Sequence, residues 1–119
     1  MASFNVNENT TVRVSGQFTD ETGAVIGSGS MQTLAVTLYD RATGAAINGR
    51  TGQNVLNANG GTLDVSGNFA LQLDPADTAI IGTDRIETHV LRMDWTWSSG
   101  NKAGRAEMTL VVNNLVGVP

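Results

Sequence analysis

The sequence predicts an all-β fold, and three observations lead to it. Apolar and polar residues alternate with a period of two along several short runs, which is typical of strands with one buried face. Turn residues, above all glycine, recur between those runs at about ten-residue spacing. No stretch carries apolar residues at helical spacing over three turns. Together these features predict an immunoglobulin-like antiparallel β-sandwich of seven to eight strands.

Each main strand is predicted from its own alternation. In the first, Val12, Val14 and Phe18 share one face while Arg13 and Gln17 share the other. The same pattern defines the other long strands. The predicted strands in chain order are TVRVSGQF, LAVTLYD, NFALQL, HVLRMDWTW and AEMTLVV.

The segments between the strands have turn composition. Residues 20–30 form a loop rich in Gly and Ser, Thr43-Gly44 is the tip of a hairpin, and 57–62 is a glycine-rich turn. Residues 74–84 differ, because Asp-Pro followed by ADTAII favours one short helical turn. Neither glycine cluster has a Walker lysine or opens a βαβ unit, so turn formation is favoured over phosphate binding.

The run HVLRMDWTW holds both tryptophans and the only histidine. Leu91, Met93, Trp95 and Trp97 share one parity, which predicts a bulky inward face at the centre of the core. An open aromatic platform for a sugar or a base is the alternative. The shared parity favours core packing, with the indole N–H needing one partner.

Length and composition limit the remaining choices. The 119 residues predict a single domain, 1–119, with 1–9 and 115–119 as candidate arms. Absence of cysteine excludes disulfides and thiolate metal sites. The net charge of −4 and the lack of a basic run argue against nucleic-acid and membrane partners. The first ten residues show no signal-peptide pattern, so we expect the chain to be made and kept in a cytoplasm or assembled there.

The catalytic candidates are weak. His89 could act as a base for a hydroxyl nucleophile, but no GxSxG elbow accompanies it. The alternative interpretation is a structural role, in which His89 lies partly buried at a strand end and its ring forms hydrogen bonds with the backbone. Four acids (Asp74, Asp77, Asp84 and Glu87) could serve glycoside hydrolysis or bind Ca²⁺. No EF-hand pattern is present, and roles in turn formation and helix capping account for Asp74 and Asp77. We therefore predict no enzyme activity, no cofactor and no metal.

A family resemblance adds a biological setting. The run from residue 36 to 114 contains VTLYDRATGAAING, GGTLDVSGNFALQLDPADTAIIG, ETHVLRMDWTW and AEMTLVVNN. It resembles the small immunoglobulin-like domains of tailed-bacteriophage structural proteins, in particular the N-terminal domain of phage baseplate upper proteins. The shared motifs are structural and carry no catalytic residues. The resemblance implies a virion protein, assembled in the host cytoplasm, that binds other virion proteins.

Because the sequence ends at Pro119, we expect none of the regions that follow the domain in baseplate upper proteins. We therefore expect a decoration, cement or head–neck connector subunit, present in many symmetric copies and binding capsid, portal, neck or tail subunits. The predicted contact residues lie in the two arms, the 20–30 loop and one strand. They are Phe4, Val6, Ile26, Tyr39, Leu115, Val116 and Val118.

Two other functions stay open. One is a carbohydrate-binding or receptor-binding module at the tail, which requires an exposed aromatic at Tyr39, Trp95 or Trp97. The other is a small hydrolase using His89 or the four acids. For the leading hypothesis, a chain lacking residues 1–9 is expected to fold yet incorporate poorly into particles.

Overall fold

A computed structural model describes residues 2–81, 85–97 and 101–113. The described chain is mostly strand, with one short 3-10 helix over Pro75–Thr78, where the sequence predicts a helical turn. The predicted all-β character is confirmed. The strands are β1 (Ala2–Asn7), β2 (Val12–Gln17), β3 (Met31–Asp40), β4 (Gln53–Asn54), β5 (Gly61–Leu63), β6 (Asn68–Leu73), β7 (Ile86–Trp97) and β8 (Lys102–Asn113).

The strands form two sheets. The larger has the order β1-β8-β7-β3-β4, and the smaller has the order β2-β6-β5. All pairs are antiparallel except β1 with β8, which run parallel. Since β1 and β8 are far apart in the chain, no hairpin constrains their direction, and a parallel pair is open to them.

One hydrophobic core lies between the sheets. Leu91 and Met93 are 0% and 7% exposed, so the predicted inward face of β7 is confirmed at these positions. Trp95 and Trp97 are partly buried and pack against the same core. The smaller sheet contributes its own inward row. The buried residues shared between the two sheets include Val14, Leu34, Val36, Leu38, Leu63, Phe69, Leu71, Leu73, Leu110 and Val112.

An aromatic group closes the core near the β7–β8 hairpin. The ring of Phe18 lies 4.7 Å from that of Trp95 and 5.3 Å from that of Phe69, centroid to centroid. Opposite Trp95 on β8 is Gly104, where an added Cβ would stand 2.4 Å from the indole ring. Glycine is needed there because the indole lies across the position that a side chain would occupy.

The N-terminal segment is part of the sheet. Residues 2–7, within the predicted arm 1–9, pair in register with β8 of the same chain. Val6 is 9% exposed and belongs to the core, whereas Phe4 is 39% exposed. Removing residues 1–9 would therefore remove the strand that pairs with β8. A chain shortened in this way tests whether the domain still folds as well as whether it assembles.

The 20–30 loop packs on the turn between β5 and β6. The N–H of Ser28 donates to the Asp64 carbonyl at 3.0 Å. Ile26, a predicted contact residue, is 2% exposed and fills the core, so its side chain is not presented to a partner in this structure. The neighbouring Val25 is 50% exposed, and Val65 on the adjoining turn is 82% exposed. The loop and the adjoining turn thus each expose one valine.

An acidic group on the outer face of β7 gives a pH prediction. Arg92 Nε donates to Asp94 Oδ2 at 3.1 Å, and Arg105 Nε donates to Oδ1. Desolvation acts to raise the pKa of Asp94, but hydrogen bonds and charges from both arginines outweigh it, so the pKa is lowered. A lowered carboxyl pKa stabilises the fold above the unfolded value of about 3.9.

We expect Asp94→Asn to lower the melting temperature at pH 7. The difference from wild type should shrink as the pH falls from about 4 through the folded pKa, because wild-type Asp94 then becomes protonated too. Thermal melts of both proteins between pH 2 and pH 7, roughly the range where acids titrate, measure this. A difference that stays constant down to the lowest pH would contradict the assigned ion pairing.

Candidate functional site

A buried polar cluster sits at one end of the larger sheet. On β3 the inward row of Leu34, Val36 and Leu38 ends at Asp40, and on β7 the inward row begins with Glu87 and His89. The register places Asp40 directly opposite His89. The exposed fractions are 4% for Asp40, 8% for Glu87 and 0% for His89. We refer to Asp40, Glu87 and His89 as the polar cluster.

The three side chains are close enough to act together. His89 Nε2 lies 2.8 Å from Glu87 Oε1. One ring nitrogen of His89 and one oxygen from each of the two carboxylates lie within 4.8 Å of one another. Nδ1 of His89 is buried and has no hydrogen-bond partner among the described residues. A buried nitrogen without a partner costs free energy, so it marks a place where a ligand would be favoured.

Neighbouring groups orient both carboxylates. Thr43 donates its N–H at 3.1 Å and its hydroxyl at 2.8 Å to Asp40 Oδ2. The N–H of Ile81 donates to Glu87 Oε1 at 3.1 Å and Oε2 at 3.2 Å. Both acids also line a cavity of about 460 Å³ with Thr43, Ile81 and Ile86. The carboxylates are thus held in place beside a space that a small ligand could enter.

His89 departs from its predicted setting. The sequence predicts a partly buried histidine bonded to backbone, whereas the ring is fully buried and its Nε2 contacts the Glu87 side chain. The alternation of buried and exposed positions along β7 could have indicated this burial, since His89 lies on the same face of the strand as Leu91 and Met93. An acid therefore lies within hydrogen-bond reach of His89, as the hydrolase hypothesis requires. A ring with no exposed surface nonetheless cannot touch a substrate in this conformation.

The four acids of the sequence analysis do not gather at one site. Asp77 forms a buried salt bridge with Arg50, and Glu87 belongs to the polar cluster. Asp74 is exposed and gives its backbone N–H to Asp77 Oδ2 at 2.7 Å. Asp84 lies outside the described residues. Asp77 and Glu87 are thus each buried against a different partner, Arg50 and His89.

Arg50 and Asp77 form a second buried polar group that sequence reasoning missed. Arg50 Nε donates to Asp77 Oδ1 at 2.6 Å and Nη2 donates to Oδ2 at 2.9 Å, a bidentate pair. Arg50 Nη1 donates to Gln53 Oε1 at 2.8 Å, and Asn48 Nδ2 donates to Asp77 Oδ1 at 3.0 Å. The pair ties the loop before β4 to the 3-10 helix, which is a structural task.

An apolar groove runs beside β2. It has a volume of about 260 Å³ and opens between β2 and the facing strands β7 and β8. Among the described strands β2 pairs only with β6, so its other edge is unpaired. The indole Nε1 of Trp95 is buried beside the groove without a hydrogen-bond partner among the described residues. The side chains that line the groove include Val14, Phe18, Phe69, Met93, Trp95, Ala106 and Met108.

The chain matches no protein-family model, no curated protein sequence and no solved structure. Within the described ranges, no helix has the length and apolarity needed to cross a membrane.

The remaining predicted contact residues divide into two groups. Tyr39 is half-buried on the outer face of β3, and its hydroxyl donates to Glu107 Oε2 at 3.0 Å. That hydrogen bond to a carboxylate raises the pKa of Tyr39. Leu115, Val116 and Val118 lie outside the described residues, as does the whole predicted arm 115–119.

Proposed function

We propose that this chain is a non-enzymatic structural protein of a tailed-bacteriophage virion, a decoration, cement or head–neck connector subunit with an immunoglobulin-like sandwich. The resemblance over residues 36–114 supplies the setting. The observation that carries the contact role is the apolar groove beside the unpaired edge of β2. Its partners are other virion proteins, which it meets in many symmetric copies.

The groove and the edge suit one mode of binding. An extended segment of a neighbouring subunit pairs with the unpaired N–H and C=O groups of β2, as in β-strand addition. One apolar side chain of that segment enters the groove against Phe18, Met93 and Trp95. Main-chain bonds then supply affinity, and the fit of the inserted side chain supplies specificity. Because many copies of the subunit bind one particle, the overall binding is stronger than that of a single modest contact.

Burial of the polar cluster supports a non-enzymatic role. His89, the one histidine of the chain, has no exposed surface. A general base has to come within hydrogen-bond reach of the proton that it abstracts. The geometry therefore favours a structural or ligand-holding role for His89 over catalysis.

A groove-filling substitution tests the contact role. Gly16 lines the groove, and an added Cβ there meets no atom within 4 Å. We expect Gly16→Leu to fold, since its side chain enters open space, but to incorporate poorly into particles. Purified particles assembled with wild-type or variant chain are compared by quantitative mass spectrometry.

The matched control is Gln72→Leu, because Gln72 is exposed on β6 of the same sheet and does not line the groove. It should incorporate at the wild-type level. Normal incorporation of Gly16→Leu would remove the groove from the proposal, and absence of wild-type chain from particles would refute the virion role.

The alternative function is a carbohydrate-binding or receptor-binding module at the tail. It is favoured only by the partly buried Trp95, whose unpartnered indole N–H lies beside the groove. Glycan-array binding that is lost in Trp95→Phe would support this function. That variant keeps an aromatic ring at this position while it removes the N–H donor.

A further inference from the structure

We propose that Asp40, Glu87 and His89 bind one divalent transition-metal ion of the Zn²⁺ class. The three residues bring two carboxylates and one imidazole to one buried point, with ligand atoms within 4.8 Å of one another. Zn²⁺ takes nitrogen from His and oxygen from Asp or Glu. The site is separate from the β2 groove, so it goes beyond the proposed contact role.

The spacing suits an ion of this size. Metal–ligand bonds of about 2.0–2.2 Å hold ligand atoms about 3–4 Å apart. His89 Nε2 and Glu87 Oε1 are at hydrogen-bond distance, 2.8 Å. The ion is placed on His89 Nδ1, so this hydrogen bond stays in place and Glu87 contributes its other oxygen.

The unpartnered ring nitrogen is an independent observation. His89 Nδ1 is buried and has no partner among the described residues, while Nε2 contacts Glu87. Metal-bound histidines commonly bind the ion through one nitrogen and give the other N–H to a carboxylate. His89 has both elements of that arrangement within the polar cluster.

Burial and charge also favour a cation. Asp40 and Glu87 are 4% and 8% exposed, so little water reaches their carboxylates. Carboxylate oxygen is a ligand type that a divalent cation binds well. The imidazole favours Zn²⁺ over Ca²⁺ and Mg²⁺, which prefer sites made of oxygen alone.

Supporting bonds and access are present as well. Thr43 orients Asp40 with two hydrogen bonds, and the N–H of Ile81 orients Glu87. Outer hydrogen bonds of this kind fix the ligands of a metal site. The adjoining cavity of about 460 Å³ is lined by Asp40 and Glu87 and gives an entry route to their carboxylates.

Nitrogen-15 NMR of the single histidine ring tests the proposal on the wild-type chain without a histidine tag. After treatment with a chelator, the protein is titrated with Zn²⁺ alone. We expect saturable one-to-one binding in which a ring nitrogen of His89 changes its chemical shift in step with binding measured by calorimetry. Ring resonances that stay unchanged at excess Zn²⁺ would overturn the proposal.

Variants test the assignment of ligands. Asp40→Asn should weaken Zn²⁺ binding by at least about tenfold, and Thr43→Val, which removes one bond to Asp40, by about tenfold to a hundredfold. The control is Asp94→Asn, an acid on the opposite face of β7, which should leave binding unchanged. Thr43 is exposed, so Thr43→Val keeps the test valid even where Asp40→Asn fails to fold. Wild-type affinity in Asp40→Asn would exclude Asp40 as a ligand, and wild-type affinity in Thr43→Val would contradict the support that Thr43 is proposed to give the metal site.

Discussion

Replacing Asp77 with asparagine is expected to lower the free energy of unfolding by about 3–5 kcal/mol, the usual cost of leaving one buried charge without its partner. Asp77 is 0% exposed and Arg50 is 4% exposed, so water cannot replace the lost carboxylate. Asn48 and the backbone N–H of Asp74 also donate to this carboxylate. Urea unfolding at pH 7, followed by tryptophan fluorescence, measures the change.

A matched control separates burial from charge. Lys102 and Glu21 form an exposed ion pair at 2.8 Å, with side chains 45% and 58% exposed. Exposed pairs contribute little because water solvates both charges. Glu21→Gln should therefore leave the unfolding midpoint almost unchanged. If Asp77→Asn proved as mild as Glu21→Gln, the buried pair would not secure the loop before β4 as described.

Gly61→Ala is expected to lower the free energy of unfolding by about 1–3 kcal/mol or more, as overpacking does. An added Cβ at Gly61 would stand 2.1 Å from the backbone oxygen of Val55 and 2.8 Å from its Cβ. Backbone cannot move aside as a flexible side chain can. The clash therefore forces β5 away from the segment that enters the core at Val55.

Gly16→Ala is the matched control for this second substitution. Gly16 lies on β2 and Gly61 on β5, the two strands that flank β6 in the smaller sheet. No atom lies within 4 Å of a Cβ added at Gly16. Without a clash, Gly→Ala stabilises by about 0.4–1 kcal/mol, because the unfolded chain loses freedom. Equal destabilisation by both variants would contradict the close approach of β5 to Val55.

Local alternation predicted the faces of the long strands well. Leu91 and Met93 on β7 point into the core as the period of two requires, because burial of one face is a property of each strand alone. Glu87 and His89 continue that row, so their burial was readable from the same pattern. Position along the strand, rather than residue type, decides the environment of His89.

Contacts between segments that are distant in the chain could not be predicted from the alternation within a single strand. Asp40 meets His89 only because the register of β3 on β7 places them opposite each other. Arg50 and Asp77 are 27 residues apart, on a loop and a 3-10 helix with no common period. Nothing local in their sequence specifies that pairing.

The pairing partner of each strand could also not be predicted from the local sequence. Phe4 and Val6 show an alternation that suits a strand, yet nothing in residues 2–7 indicates that they pair with β8. The choice depends on which sheet edge remains open after the β7–β8 hairpin has formed. Ile26 similarly enters the core because its N–H bonds to the Phe18 carbonyl at 2.9 Å, which turns the loop inward.

A reconstruction of an intact phage particle that contains this chain is the most direct test of the virion role. The proposal predicts density for the two-sheet domain in several symmetry-related copies, with a neighbouring subunit covering the edge of β2 and filling the groove at Phe18 and Trp95. Particles that lack the domain, or that leave both the edge and the groove open to solvent in every copy, would contradict it.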